Sequence, residues 1–245
     1  MFTVKVAVLK NRKKIYHFEF DNQQEMNKYF IRLSEITESP KFKNKQFTRS
    51  DILDYEKDYY NIVLGHNIAG TSIFNLYKTM NYLYPEENII YKYVKKEKNP
   101  DNFCMIATFT TSTKKFQALP HELAHALYYL NNNYYKKISD ILGFYNLIWF
   151  CKSHTFKDHF FNEMYDILQY KEYHENVWQD EIHAFLLDLA LGSVGFFYGR
   201  TFPLFLKQLF KGKVHFHFKY KKISKEILKV YEEFVQDIKF KSKKV

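Results

Sequence analysis

The 245-residue chain has little of what usually staples or punctuates a fold: two cysteines, five prolines and seven glycines. Cys104 and Cys151 cannot make a disulfide framework, so the core must come from apolar burial, for which the chain is long enough. Such cysteine usage fits a reducing compartment. Arginine is also scarce. Arg12, Arg32, Arg49 and Arg200 are the four among 37 basic residues. The net charge of +10 points toward anionic partners, but readers of nucleic-acid sequence rely on arginine forks. A lysine-borne charge implies weak, nonspecific nucleic-acid contact that salt would screen. Long hydrophobic runs are missing as well. "ILGFYNLIWFC" (141–151) is about half of the ~20 residues that a membrane span needs, and "AFLLDLALGSVGFFYG" (184–199) is short and carries Asp188. In "MFTVKVAVLKNRKKIYHF" the basic cluster follows the apolar run, the reverse of a signal peptide. The expectation is a cytoplasmic or otherwise intracellular protein with no membrane span.

What the chain does have is apolar and aromatic mass. Hydrophobic residues make up 46% and aromatic residues 20%, which excludes a disordered chain. Residues 2–9 and 14–20 alternate around "KNRKK" and predict a β-hairpin. Residues 22–37 carry apolar positions at helical spacing behind an Asp21/Asn22 cap. A loop over 38–50 and a short helix over "SDILDYEKDYY" follow. The turn residues of "LGHNIAGTS" suggest a boundary, giving an N-terminal α+β subdomain over 1–68 and a larger domain over 69–245. Within the second, helices are predicted at 72–84, 86–96, 119–131, 133–150, 156–170, 176–191 and 222–239, with strands at 103–111 and 213–220. The predicted fold class is α+β, mostly helical with a small sheet.

The segment "ALPHELAHALYYL" carries the chemistry. His121 and His125 are four apart, so a helix puts both imidazoles on one face, one turn apart. They can converge on one ion at about 2.0–2.1 Å. Glu122 lies to the side of that pair, badly placed as a ligand and well placed to reach a water on the ion, as a general base must be. Pro120 is tolerated only in a helix's first turn, so the helix should begin near Leu119. Tyr128, Tyr129, Tyr134 and Tyr135 read as core and helix-packing residues.

A catalytic zinc takes three protein ligands and keeps an open position. The third is sought in "YHENVWQDEIHAFLLDLAL" (173–191). On a helix, Val177, Glu181, Ala184 and Asp188 share one side, and a carboxylate on that apolar face needs a partner or a metal. Glu181 is the best placed. Asp180 competes as a ligand or orients one from behind, and His183 is a third possibility. Tyr198 and Arg200 in "GFFYGRTF" could stabilise an oxyanion. His215 and His217 alternate on the predicted strand and could form a second metal pair, while His154 and His159 lack partner spacing.

With these residues in view, His121-Glu122-x-x-His125 followed by Glu181 on a later helix resembles the gluzincin arrangement of zinc metallopeptidases. "DEIHAFLL" is similar to the third-ligand helix of peptidases of the ImmA/IrrE kind. The resemblance covers about 103–195 and implies a zincin-like domain, one Zn²⁺ per chain held by His121, His125 and Glu181, Glu122 as base and proton shuttle, and a peptide or protein substrate lying extended along the 103–111 strand. Two features depart from it. Fifty-five residues separate His125 from Glu181, and the Asn-Glu-x-x-x-Asp form is absent because Phe185 stands where its aspartate would. Two other functions fit the residues: a metal-stabilised regulatory or binding protein with little turnover, and a basic nucleic-acid-associated protein.

Overall fold

In the computed structural model, residues 1–110, 118–152, 164, 178–191 and 215–242 are described. The predicted hairpin forms from β1 (Phe2–Val8) and β2 (Lys14–Phe20), antiparallel with Val4 opposite Phe18. Helix α1 (Gln23–Glu38) starts at Asn22, whose side chain accepts from the Glu25 N–H at 2.8 Å. This satisfies one of the amide groups that a helix start leaves free. Helix α2 (Arg49–Tyr55) opens on a Thr48–Asp51 capping box. Then come α3 (Tyr59–Ile62), β3 (His66–Ala69), α4 (Gly70–Thr79), α5 (Pro85–Val94) and β4 (Phe103–Phe109). The later helices are α6 (Ala118–Leu130), α7 (Asn132–Lys152), α8 (Trp178–Leu191) and α9 (His215–Val235), followed by the short β5 (Lys241–Ser242).

The five strands form one mixed sheet in the order β3-β4-β2-β1-β5. β2 and β4 run parallel, whereas β3 runs antiparallel to β4. The sheet separates two apolar layers, and side-chain alternation assigns each strand residue to one of them. Phe103, Met105 and Ala107 of β4 join Tyr16, Phe18 and Phe20 beneath α1, α4 and α5. Cys104 and Ile106 point the other way and join Ile15 beneath α6 to α9. Because both faces are covered, β4 reads as a continuous apolar run.

The fold is therefore α+β, as expected, with three corrections. The expected boundary at 68/69 falls inside β3, and β2 pairs with β4 across it, so the two segments share one sheet. The predicted strand at 213–220 is helical from His215 onward, which removes the strand face on which His215 and His217 were to pair. β4 is flanked by β2 and β3, so it offers no free edge to a peptide over the residues paired with β3; the outer strand of the sheet is β3 itself. The helix predicted at 156–170 lies almost wholly outside the described residues. No helix among the described residues is long and apolar enough to cross a membrane.

His66 ties β3 to α1. Its Nε2 faces Asn27 Oδ1 at 2.7 Å and its Nδ1 faces Ser34 Oγ at 2.6 Å. The Asn27 amide nitrogen donates to the Tyr60 and Val63 carbonyls, so Oδ1 is left to accept from Nε2 and Nδ1 accepts from the serine. Burial of this neutral imidazole lowers its pKa from 6.5 to about 3. The unfolded chain takes up a proton near 6.5 that the native state refuses. Stability from this residue is thus complete above about 6.5 and is lost as pH falls toward 3, by about 1.4 kcal/mol per pH unit. In urea unfolding between pH 6.5 and 4.5, His66→Gln should show a pH slope shallower by about one proton than the wild type. An unchanged slope would assign the acid sensitivity elsewhere.

Candidate metal centre

Helix α6 lies on the sheet with Leu123 and Leu127 in the core and Ala124 and Ala126 fully buried. The small alanines allow α8 to approach closely. Ile182, Ala184, Leu186 and Leu187 of α8 supply its buried face. The pairings below set the two helices antiparallel, with Asp188 near His121 and Asp180 near His125.

Both imidazoles are held from behind by carboxylates. His121 Nδ1 is 2.7 Å from Asp188 Oδ2, and His125 Nδ1 is 2.9 Å from Asp180 Oδ1. Carboxylates can only accept, so each Nδ1 carries the proton. The two Nε2 lone pairs then converge, 3.1 Å apart. At that distance they repel unless a cation or a proton lies between them. Two imidazole nitrogens sharing a tetrahedral ion at about 2.0–2.1 Å lie about 3.4 Å apart, close to what is seen. Glu181 Oε1 is 3.8 Å from His125 Nε2, and its side chain is 12% exposed. One ligand atom each from His121, His125 and Glu181 lies within 4.8 Å of the others. This largely buried group can hold a metal ion.

The surrounding carboxylates favour positive charge at the two imidazoles. Burial works against charging His121 and His125, but Asp188 outweighs it at the first, and Asp180 with Glu181 outweighs it at the second. Both pKa values are raised, that of His125 well above 6.5. Burial pushes the Glu122 carboxyl up to about 7, although the two histidines draw it down.

Glu122 is fixed from β3. Asn67 Nδ2 donates to the Glu122 carbonyl at 2.9 Å, and Cys104 Sγ donates to Asn67 Oδ1 at 3.3 Å. The Glu122 side chain occupies the space where a Cβ on Gly65 would stand.

His121, His125 and Glu181 come together, with Glu122 beside them. Asp180 sits behind His125. His183 is fully buried behind it too, stacked on Tyr128 and 3.4 Å from Asp180 Oδ1, outside the metal group. Tyr134 is buried in the core and Tyr128 and Tyr129 pack against it, but Tyr135 is 46% exposed. His154, His159, Tyr198 and Arg200 lie outside the described residues. Two features had no assigned role. Asp188, on the same helix side as Glu181, holds His121 Nδ1, while Phe185 packs edge-on against the His121 ring. A lone acid inside "AFLLDLALG" was its one available signal. The turn residues around Gly65–Asn67 gave no sign of their contact with Glu122.

No protein-family model, curated protein or solved structure matches the chain.

Proposed function

We propose that this chain is a metal-dependent hydrolase of peptide bonds, with zinc held by His121, His125 and Glu181 and with Glu122 as general base, an arrangement like that of gluzincin metallopeptidases. The observation that carries the reading is the convergence of the two Nε2 atoms at 3.1 Å while both Nδ1 atoms face carboxylates. Two nitrogens and one carboxylate oxygen suit zinc, and three protein ligands leave a position open. Bound there by His121, His125 and Glu181, a divalent ion would acidify water and polarise a carbonyl oxygen.

The chain's own groups supply the rest. Asp188 and Asp180 hold the imidazoles in one tautomer and orientation. Glu122, with its carboxyl near neutrality, accepts a proton from the attacking water and passes it to the leaving amine. β3 is the sheet edge beside Glu122, so an extended peptide would add there, and not along β4.

The test is metal analysis of untagged protein, followed by competitive zinc titration. The wild type should hold about one zinc per chain, and His121→Ala and His125→Ala should lose it. Glu181→Ala should weaken binding more than Asp180→Ala does. Asp188→Asn should cost about 10–100-fold in affinity. A folded wild type without stoichiometric transition metal would reject the reading.

A further inference from the structure

Gly65 lies 57 residues before Glu122 in the chain and against it in space. An ideal Cβ built on Gly65 would stand 2.3 Å from Glu122 Oε1 and 2.8 Å from both Cδ and Cγ. These three are the nearest atoms it would meet, and all belong to one side chain. The overlap therefore involves the whole carboxyl arm of Glu122. The backbone at Gly65 is not in the left-handed region, so glycine is not required there for its conformational freedom. What the position requires is the absence of a side chain.

A second observation comes from β3, which begins at the next residue. Asn67, two residues on, donates to the Glu122 carbonyl, and its own Oδ1 accepts from Cys104. The chain entering β3 thus holds Glu122 at two points: Asn67 in the strand on the helix backbone, and Gly65 just before the strand along the carboxyl arm. Helix geometry alone places the Cα of Glu122; the direction of its carboxyl is decided by the surface it rests on. Among rotamers of similar intrinsic energy, that packing decides.

We infer that Gly65 is a positioning residue for Glu122: its bare Cα is the surface against which the proton acceptor is set. The inference rests on the reading of Glu122 as general base, but its steric core does not. A methyl group at 65 displaces the carboxyl arm and leaves His121, His125 and Glu181 where they are. Because the group that must yield is the end of a flexible side chain, the fold survives the change.

The experiment is a thermal double-mutant cycle on the full chain, with zinc content and peptide hydrolysis measured alongside. In the wild-type background Gly65→Ala should lower the melting temperature by about 2–4 °C, the shift that an off-rotamer side chain causes in a chain of this size. In the Glu122→Ala background the same change should leave it unchanged or raise it by up to about 2 °C, since alanine then meets no arm and reduces unfolded-state entropy. The sign reversal is the signature of the contact, and equal shifts in the two backgrounds would overturn the inference. Where the wild type hydrolyses peptide, Gly65→Ala should keep its zinc and lose about 10–100-fold in kcat, as expected for a displaced catalytic group. Wild-type kcat in that variant would also overturn it. A wild type with no hydrolysis would count against the proposed function, and the thermal cycle would still decide the role of Gly65.

Discussion

Replacing Glu122 by glutamine should lower peptide hydrolysis by about 10²–10⁴-fold while leaving one zinc per chain. Glutamine has the same shape, so the contact with Gly65 and the Asn67 bond to the backbone carbonyl persist. What disappears is the ability to take a proton. Glu122 lies beside the histidine–glutamate group without belonging to it, so metal content should not follow activity. The two readouts separate this variant from His121→Ala, in which both fall. Equal hydrolysis by wild type and Glu122→Gln would remove Glu122 from the chemistry. Hydrolysis by neither, with zinc bound in both, would favour a metal-stabilised binding protein.

The largest expected effect on stability lies on the other side of the sheet. Arg32 of α1 and Glu87 of α5 have side chains 0% and 1% exposed, with Nε and Oε1 3.5 Å apart. The guanidinium stands 5.1–5.6 Å from the ring centres of Phe47, Tyr82 and Tyr84 and donates to the Tyr82 carbonyl. Glu87 Oε2 accepts from the Tyr84 N–H at 3.0 Å, closing the start of α5. Burial pushes the Glu87 carboxyl up, and Arg32 pulls it back. Arg32→Met removes the nearer countercharge of a buried carboxylate, leaving only the weaker pull of Arg49, and should cost about 3–5 kcal/mol in urea unfolding. The double variant Arg32→Met/Glu87→Gln keeps an acceptor for Tyr84 and carries no buried charge, so it should recover most of that loss. A cost below about 1 kcal/mol for Arg32→Met would show that the pair does not hold α1 to α5.

Several local features were legible because their cause is local. The alternation at 2–9 and 14–20 specifies two paired strands, and Asn22 marks the start of α1 by a bond within its own turn. The four-residue spacing of His121 and His125 sets both rings on one helix face whatever surrounds them. Glu181 was legible as an acid on an apolar face, which burial leaves in need of a cation.

Other features were illegible because their cause is distant. "HNIA" between Gly65 and Gly70 is too short to read as a strand; pairing with β4 makes it one. Residues 215–220 alternate like a strand, yet Tyr220, Ile223, Ile227 and Tyr231 form a buried stripe at helical spacing. That longer period carries the segment into α9. Asp188 gains its meaning from His121, 67 residues away, through the crossing of α6 and α8. Gly65 gains its meaning from an arm that reaches it across the edge of the sheet. The sequence by itself determined which side chains share a helix face, since backbone periodicity is a property of neighbouring residues. Only the tertiary structure decided which carboxylate backs which histidine and which strand borders the site, because those distances depend on how separate elements pack.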